Sequence, residues 1–499
     1  MSFHAKYFRA VFSFCSALLL LFFSLASHAA MGDAEAIHLF NRAGFAVSYS
    51  ELLSWSFLSR QQAVEKLLQS PANVTAPPPA WVNDPINRPS KLDKMAGNRQ
   101  AQKEFQKLQR DHHAELSAWW LNEMLTTNSP LNERMTLFWH NHFVSGQKKV
   151  KVAKLLYIQN QLLRKQAMGN FGGLLHAVSK DPAMLIYLDS ASNRKDSPNE
   201  NFAREVMELF TLGVGNYTEK DIKEAARAFT GWSVDRDTGE FVFRKKMHDD
   251  GQKTILGKTG NFDGDDVLDI LLAQPQTAEF IVTKMWRELV NTEVTAADKA
   301  TITKIAVDFR QSRYEIKTAL KGILLSDAFY APDNRGAIIK SPVDLVVGSL
   351  RQLDIKVSST ESLVPVLRQL GQNLFDPPNV KGWPGGYLWI NTNSLLARKT
   401  FLDRLLRTED MQSSSVNSNL TNMMSIGAPS KMGKKAQIKQ DARPLGLRFY
   451  AQEWFAQFTS SSQAQDLLLQ QAPVVASAAS PNTLPWLRSL MLDPAYQLK

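Results

Sequence analysis

The sequence predicts a mainly α protein: a large multi-helix domain with a small β-hairpin or irregular excursion and long loops. Three observations carry this. Apolar residues recur at three- and four-residue intervals in segment after segment, the period of a helix with one buried face. The alternation expected of strands is confined to one short piece, Phe241, Val242 and Phe243. The stretches between helical segments are rich in Pro and Gly, and no internal repeat of useful length is present.

The chain opens with Lys6 and Arg9, an apolar run over 10–26, then Ser27, His28, Ala29 and Ala30. That is the layout of a secretory signal peptide over residues 1–29, cut after Ala29 or Ala30. The alternative is an uncleaved membrane anchor. No later segment is apolar for the roughly 18 residues a membrane helix needs, so no transmembrane segment is expected after signal removal. The expected location is periplasmic or extracellular. Cys15 is the only cysteine and leaves with the leader. A cysteine-free mature chain excludes disulfides, thiolate metal sites, iron–sulfur clusters and covalent haem attachment. Lys plus Arg number 58 against 48 Asp plus Glu, an excess of ten that falls to eight without Lys6 and Arg9. No lysine or arginine block exceeds short pieces such as Lys148 and Lys149, so a solvated basic surface is the plainer reading. Nucleic acid is not expected as a partner of an exported protein.

A helical domain is expected over 30–406. Residues 34–44 form a short helix ending at Gly44, and 49–68 another with Ser50 as a possible cap. Prolines 77, 78, 79, 85 and 89 make 71–98 a surface loop. Residues 100–126 form a long helix. Ser129 and Pro130 start the next, serine as cap and proline at the first position. Helices follow over 150–166 and, interrupted at Asp181 and Pro182, over 170–188.

The organising stretch is 199–232. In its first helix Phe202, Val206, Leu209 and Phe210 make an apolar stripe, with Arg204, Glu205 and Glu208 beside or opposite it. Gly213 and Gly215 end it, because glycine takes positive φ without strain. Thr218 caps the second helix, and Ile222, Ala225, Ala226 and Phe229 form its buried face. Residues 233–264 are the β or irregular excursion. Helices return over 265–272, 278–289, 296–311, 315–326, 341–353 and 394–406. Residues 375–393 form a Pro/Gly/Trp loop. A Ser/Asn/Met/Lys-rich flexible insertion is expected over 407–444. A C-terminal helical tail over 445–499 is expected to pack on the same domain, with helices at 445–458 and 461–469.

Several residues have the chemistry of a site. His140 and His142 lie two apart, about 200° around a helix, so a regular helix does not aim them at one ion. Glu205 and Glu208 are three apart and share a face. His248, with Asp249 and Asp250, offers an imidazole and carboxylates. Drawn together, these groups would suit zinc, manganese or iron, and a divalent metal could activate water. The competing reading is structural: Glu205 pairs with Arg204 or Arg227, His140 bonds a main-chain carbonyl in the core, and Asp249 sits in a turn. The Asp263–Asp269 cluster fails the calcium-loop spacing and suits a helix N-terminus better. Trp383, Tyr387 and Trp389 form a candidate binding loop if exposed, and a plug over the core if buried; burial is favoured. There is no HExxH, GxSxG or P-loop.

HLFNRAGF (38–45), FWHNHF (138–143), NFAREVMELFTLGVGNYTEKDIKEAARAFTGW (201–232), HDDGQKTILG (248–257) and DPPNVKGWPGG (376–386) occur in one order. The chain thereby resembles the domain-of-unknown-function 1800 (DUF1800) family of exported bacterial proteins, over roughly 38–406, with the tail less clear. The resemblance implies an exported, mainly helical protein, often encoded beside a second exported family, and implies no established reaction. Two functions follow as expectations: an envelope binding or assembly protein acting with another exported protein, or a metal-dependent hydrolase using the His/Glu/Asp groups.

Overall fold

The structure, a computed structural model, describes residues 29–86, 99–235, 237–407 and 445–499. Residues 1–28, where a leader is expected, the second part of the proline-rich loop and all but the first residue of the expected insertion lie outside the described residues. Within them, 21 α-helices and three two-stranded antiparallel pairs make a mainly α fold. None of these helices is long and apolar enough to cross a membrane.

Helices α1 (Gly32–Ala43), α2 (Tyr49–Trp55) and α3 (Arg60–Gln69) come first. The segment expected as one helix over 49–68 is two. Ser48 and Ser59 each close a capping box, so a fresh helix starts at each. Ser50, the expected cap, lies inside α2. Next come α4 (Arg99–Thr126), α5 (Pro130–His142) and α6 (Ala153–Gln166). Pro130 opens α5 as expected, but the Ser129 side chain makes no cap bond.

These three helices meet over a buried ion pair. Arg164 of α6 grips Glu133 of α5 with Nε–Oε2 at 2.9 Å and Nη2–Oε1 at 2.8 Å. Trp120 of α4 donates its indole N–H to the same carboxylate at 2.5 Å. The side chains of both charged partners are almost fully buried. Such a pair must keep both members, because either one left alone in the core costs about 3–5 kcal/mol.

The chain continues through α7 (Phe171–Ser179) and α8 (Pro182–Tyr187), broken where expected, with Asp181 capping α8. The central hairpin is α9 (Glu200–Glu205), a π-helical segment (Val206–Thr211) and α10 (Glu219–Ala228). Gly213 and Gly215 take positive φ between them, and Thr218 closes a capping box with Asp221. The excursion is two hairpins. β1 (Trp232–Val234) pairs with β2 (Phe241–Phe243), and β3 (Lys253–Ile255) pairs with β4 (Lys258–Gly260). Asp263 caps α11 (Gly264–Ala273), which accounts for its acidic start.

Helices α12 (Pro275–Leu289), α13 (Ala296–Gln311), α14 (Ile316–Leu324), α15 (Asp327–Tyr330) and α16 (Pro342–Gln352) build the next layer. After β5 (Lys356–Val357), α17 (Val364–Leu370) and the Pro/Gly/Trp loop comes α18 (Thr392–Leu406). The helix expected over 445–458 is mostly absent. Residues Leu447–Arg448 form β6 on β5, tied by Ser358 N–H to the Gly446 carbonyl at 3.0 Å, with Gly446 at positive φ. Only α19 (Ala451–Phe455) is helical there, before α20 (Ser461–Leu468) and α21 (Leu484–Leu492). Tail and body are stitched together: Tyr496 Oη lies 2.8 Å from Ser349 Oγ, and Trp454 donates to the Gln352 carbonyl at 2.8 Å.

Candidate functional site

The last turn of α5 sends its side chains in three directions, as 100° per residue requires. His140 enters an aromatic box with ring centroids 5.0 Å from Trp120, 5.3 Å from Phe375 and 5.6 Å from Trp383. Neither ring nitrogen has a hydrogen bond, and burial lowers its pKa to about 3. His142 turns toward the central hairpin, with Nε2 3.2 Å from the Phe210 carbonyl. A carbonyl only accepts, so Nε2 carries the proton. Burial holds this ring well below the usual histidine range, with Lys284 and the Phe210 bond as secondary influences. The π-helical turn supplies that carbonyl. Leu212 N–H reaches back five residues to Met207 at 2.9 Å, and Thr211 Oγ1 bonds the Val206 carbonyl at 2.6 Å. Such one-turn π segments change which main-chain groups are left to bond outside the helix.

Asn141, between the histidines, holds the Pro/Gly/Trp loop. Its Oδ1 accepts from Trp383 N–H at 2.7 Å. The preceding Gly382 has φ +89°, and a Cβ there would stand 2.6 Å from the Asn141 carbonyl oxygen. Only glycine allows this approach. Trp383 and Trp389 are buried, as favoured from sequence, whereas Tyr387 is 76% exposed. The Trp383 indole N–H is buried without an acceptor.

Under the loop lies a cleft of ≈ 390 Å³. Its walls include Phe138 and His142 of α5, Trp383 and Trp389 of the loop, and Lys284 and Arg287 of α12. Lys381, Glu288, Asp344 and Lys499 also face it. The two carboxylates are already engaged. Asp344 pairs with Arg134 and accepts from Lys499 Nζ at 2.7 Å, and Glu288 lies 3.6 Å from Arg134. Among the described residues, Lys284, Arg287 and Lys381 form no ion pair. Burial, with Arg287 beside it, lowers Lys284 to about 8. Its ammonium lies over the Phe280 ring, 5.4 Å from the centroid. The cleft thus has donors and positive charge in excess of acceptors.

The other sequence candidates land elsewhere or have partners. Glu205 and Glu208 do sit together, and Glu208 accepts from Tyr217 Oη at 2.9 Å. Burial raises the Glu205 carboxyl, Glu208 adds to this, and Lys381 opposes it. Glu205 pairs with neither expected arginine. Arg204 goes to Glu219 and Glu200, and Arg227 to Asp249 and Glu224. Asp249 takes Arg227 with two bonds of 2.7 and 3.1 Å. His248 bonds the Thr230 carbonyl through Nδ1 at 2.9 Å. This pair fastens the end of α10 to the hairpins. The histidine expected to bond a carbonyl, His140, does not; His142 does. Among the described residues no three His, Cys, Asp or Glu side chains gather as metal ligands. The expected ligand set therefore does not fit a divalent ion.

Sequence reasoning missed Lys284, Arg287, Asp344 and Lys499. Lys284 and Arg287 were readable only as the polar positions of a helix, KMWREL. Their meeting with the loop depends on contacts about a hundred residues apart in sequence.

These features define a mainly α protein with a cationic, indole-walled cleft at the junction of its sequence motifs. The chain belongs to the DUF1800 family, described as a protein of unknown function, whose model matches residues 38–498. The match runs through the tail, well beyond the limit near 406 expected from the motifs. No curated protein and no solved structure matches the chain.

Proposed function

We propose that this is an exported binding protein of the cell envelope whose cleft takes a small organic anion such as a phosphate monoester. One observation carries the reading: Lys284, Arg287 and Lys381 line a single cleft, and among the described residues none of them is held in an ion pair. A phosphate or carboxylate would supply the missing acceptors, and charge-assisted bonds are the strong ones. Trp383 and Trp389 would pack the carbon skeleton of the ligand. Export rests on the leader-like N-terminus and the family resemblance. A second exported partner rests on the resemblance alone.

The test is calorimetric titration with sn-glycerol 3-phosphate at low ionic strength. Saturable binding is expected, weakened about ten- to a hundredfold in Lys284→Met and in Lys381→Met, the range for a lost bond to a charged group. The pH dependence has a fixed sign. The Lys284 ammonium faces His142 from α5, Arg287 and Glu288 on its own helix, and Lys381 and the Asp344–Lys499 pair across the cleft. Of these, Lys284 loses its proton near 8, and the ester is already a dianion above about pH 7. Affinity therefore falls as pH rises from 7 to 9, with proton uptake on binding at pH 8. No binding, or equal binding by both variants and the parent, defeats the proposal.

A further inference from the structure

The loop that roofs the cleft also carries an apolar tip in water. Gly386 and Trp389 of its single 3-10 turn line the cleft, while Tyr387 and Leu388 between them are 76% and 72% exposed. Leu396 on α18 is 68% exposed, and Ser394 of that helix bonds the Trp389 carbonyl at 2.9 Å. From Gly382 to Ala397 there is no charged residue. Immediately before this stretch stands Lys381, exposed at the cleft, and Arg287 is exposed there too. An uncharged Gly/Tyr/Leu/Trp tip beside unpaired cations has the chemistry of a membrane interface, where aromatic and aliphatic groups enter below the headgroups and lysine or arginine meets phosphate.

We propose that the cleft and the tip of its loop together seat the headgroup of an anionic phospholipid, holding the protein on a membrane surface. This rests on the anion-binding reading above and names the ligand class. A soluble anion would fill the cleft but leave Tyr387 and Leu388 in water. A lipid bilayer covers them while its phosphate meets Lys284, Arg287 and Lys381. The contact is peripheral, since it needs only one turn of chain to enter the interface.

Co-sedimentation of the purified protein with vesicles tests it. Retention is expected on phosphatidylcholine vesicles containing phosphatidylglycerol, not on phosphatidylcholine alone, and it weakens as salt is raised. The double variant Tyr387→Ser, Leu388→Ser should lose about tenfold or more in partitioning, the scale of one or two apolar side chains left unburied. The same variant should still bind sn-glycerol 3-phosphate, which shows that it is folded and that the cleft is intact. The Lys381→Met variant should lose both. If the parent binds sn-glycerol 3-phosphate and ignores anionic vesicles, the membrane inference is wrong and the anion cleft stands. Equal retention on neutral vesicles, or unchanged retention of the tip variant, also overturns it. If neither probe binds, both proposals fail.

Discussion

At the scale of single residues, His140 shows how misleading a motif can be. FWHNHF looks like a pair of ligands, yet the ring at 140 is surrounded by Trp120, Phe375 and Trp383 with no polar partner. Its divergence from His142 was legible, since helical geometry dictates it. Which of the two would bond a carbonyl was not, because that depends on a main-chain group 68 residues away. A prediction follows from its burial. The folded-state pKa is about 3 against 6.5 for a free ring. As pH falls below 6.5 the unfolded chain takes up a proton that the folded chain refuses, so stability present above 6.5 is lost between 6.5 and 3. His140→Phe removes that loss. Near pH 7.5 it should change stability by less than about 1.5 kcal/mol, as for a swap of similar shape. At pH 5 it should be more stable than the parent by about 2 kcal/mol relative to that baseline. Urea denaturation at both pH values checks this. A large loss at pH 7.5 would mean that the imidazole has a polar task the packing does not reveal.

At the scale of elements, helices were well marked wherever a cap and an apolar stripe coincide, as at Thr218 with Ile222, Ala225 and Ala226. Two elements were misread for identifiable reasons. Residues 445–458 have a helical apolar rhythm, but pairing with β5 pulls their start into a strand. The π-helical turn at Val206–Thr211 was invisible, because its side-chain spacing over six residues hardly differs from that of an α-helix. The loop over 375–393 was recognisable as a packed Pro/Gly segment, though its clamp on Asn141 was not. That clamp is testable. Gly382→Ala must both hold φ +89° with a Cβ and push back the Asn141 carbonyl. A cost of about 2–3 kcal/mol is expected. Because Lys381 and Trp383 flank the glycine, glycerol phosphate binding should fall as well. An alanine variant with unchanged melting temperature and unchanged binding would show that the loop is not fixed by this contact.

At the scale of the whole molecule, the mainly α class was legible, and the charge network that closes the cleft was not. Arg134 from α5, Asp344 from α16 and Lys499 from the tail are separated by 210 and 155 residues, and no local pattern links them. Nothing in the sequence marks Asp344 beyond its place near a helix start, where it also caps with Ser341. In the fold it is a buried carboxylate that pairs with two buried cations, Arg134 and Lys499. Asp344→Asn would take from Lys499 its bonded carboxylate and leave Arg134 only the more distant Glu288, so stability should drop by about 3–5 kcal/mol. Binding should move the other way. The same substitution takes a negative charge out of the cleft wall and frees the Lys499 ammonium, which now bonds Asp344 at 2.7 Å. Any sn-glycerol 3-phosphate affinity measured on the fraction that remains folded should therefore rise, by up to about tenfold for one added charged donor. The opposite responses separate two roles that a melting curve alone would merge. If stability and affinity fall together, Asp344 organises the cleft instead of opposing its ligand. The excess of positive charge would then not be what binds the anion.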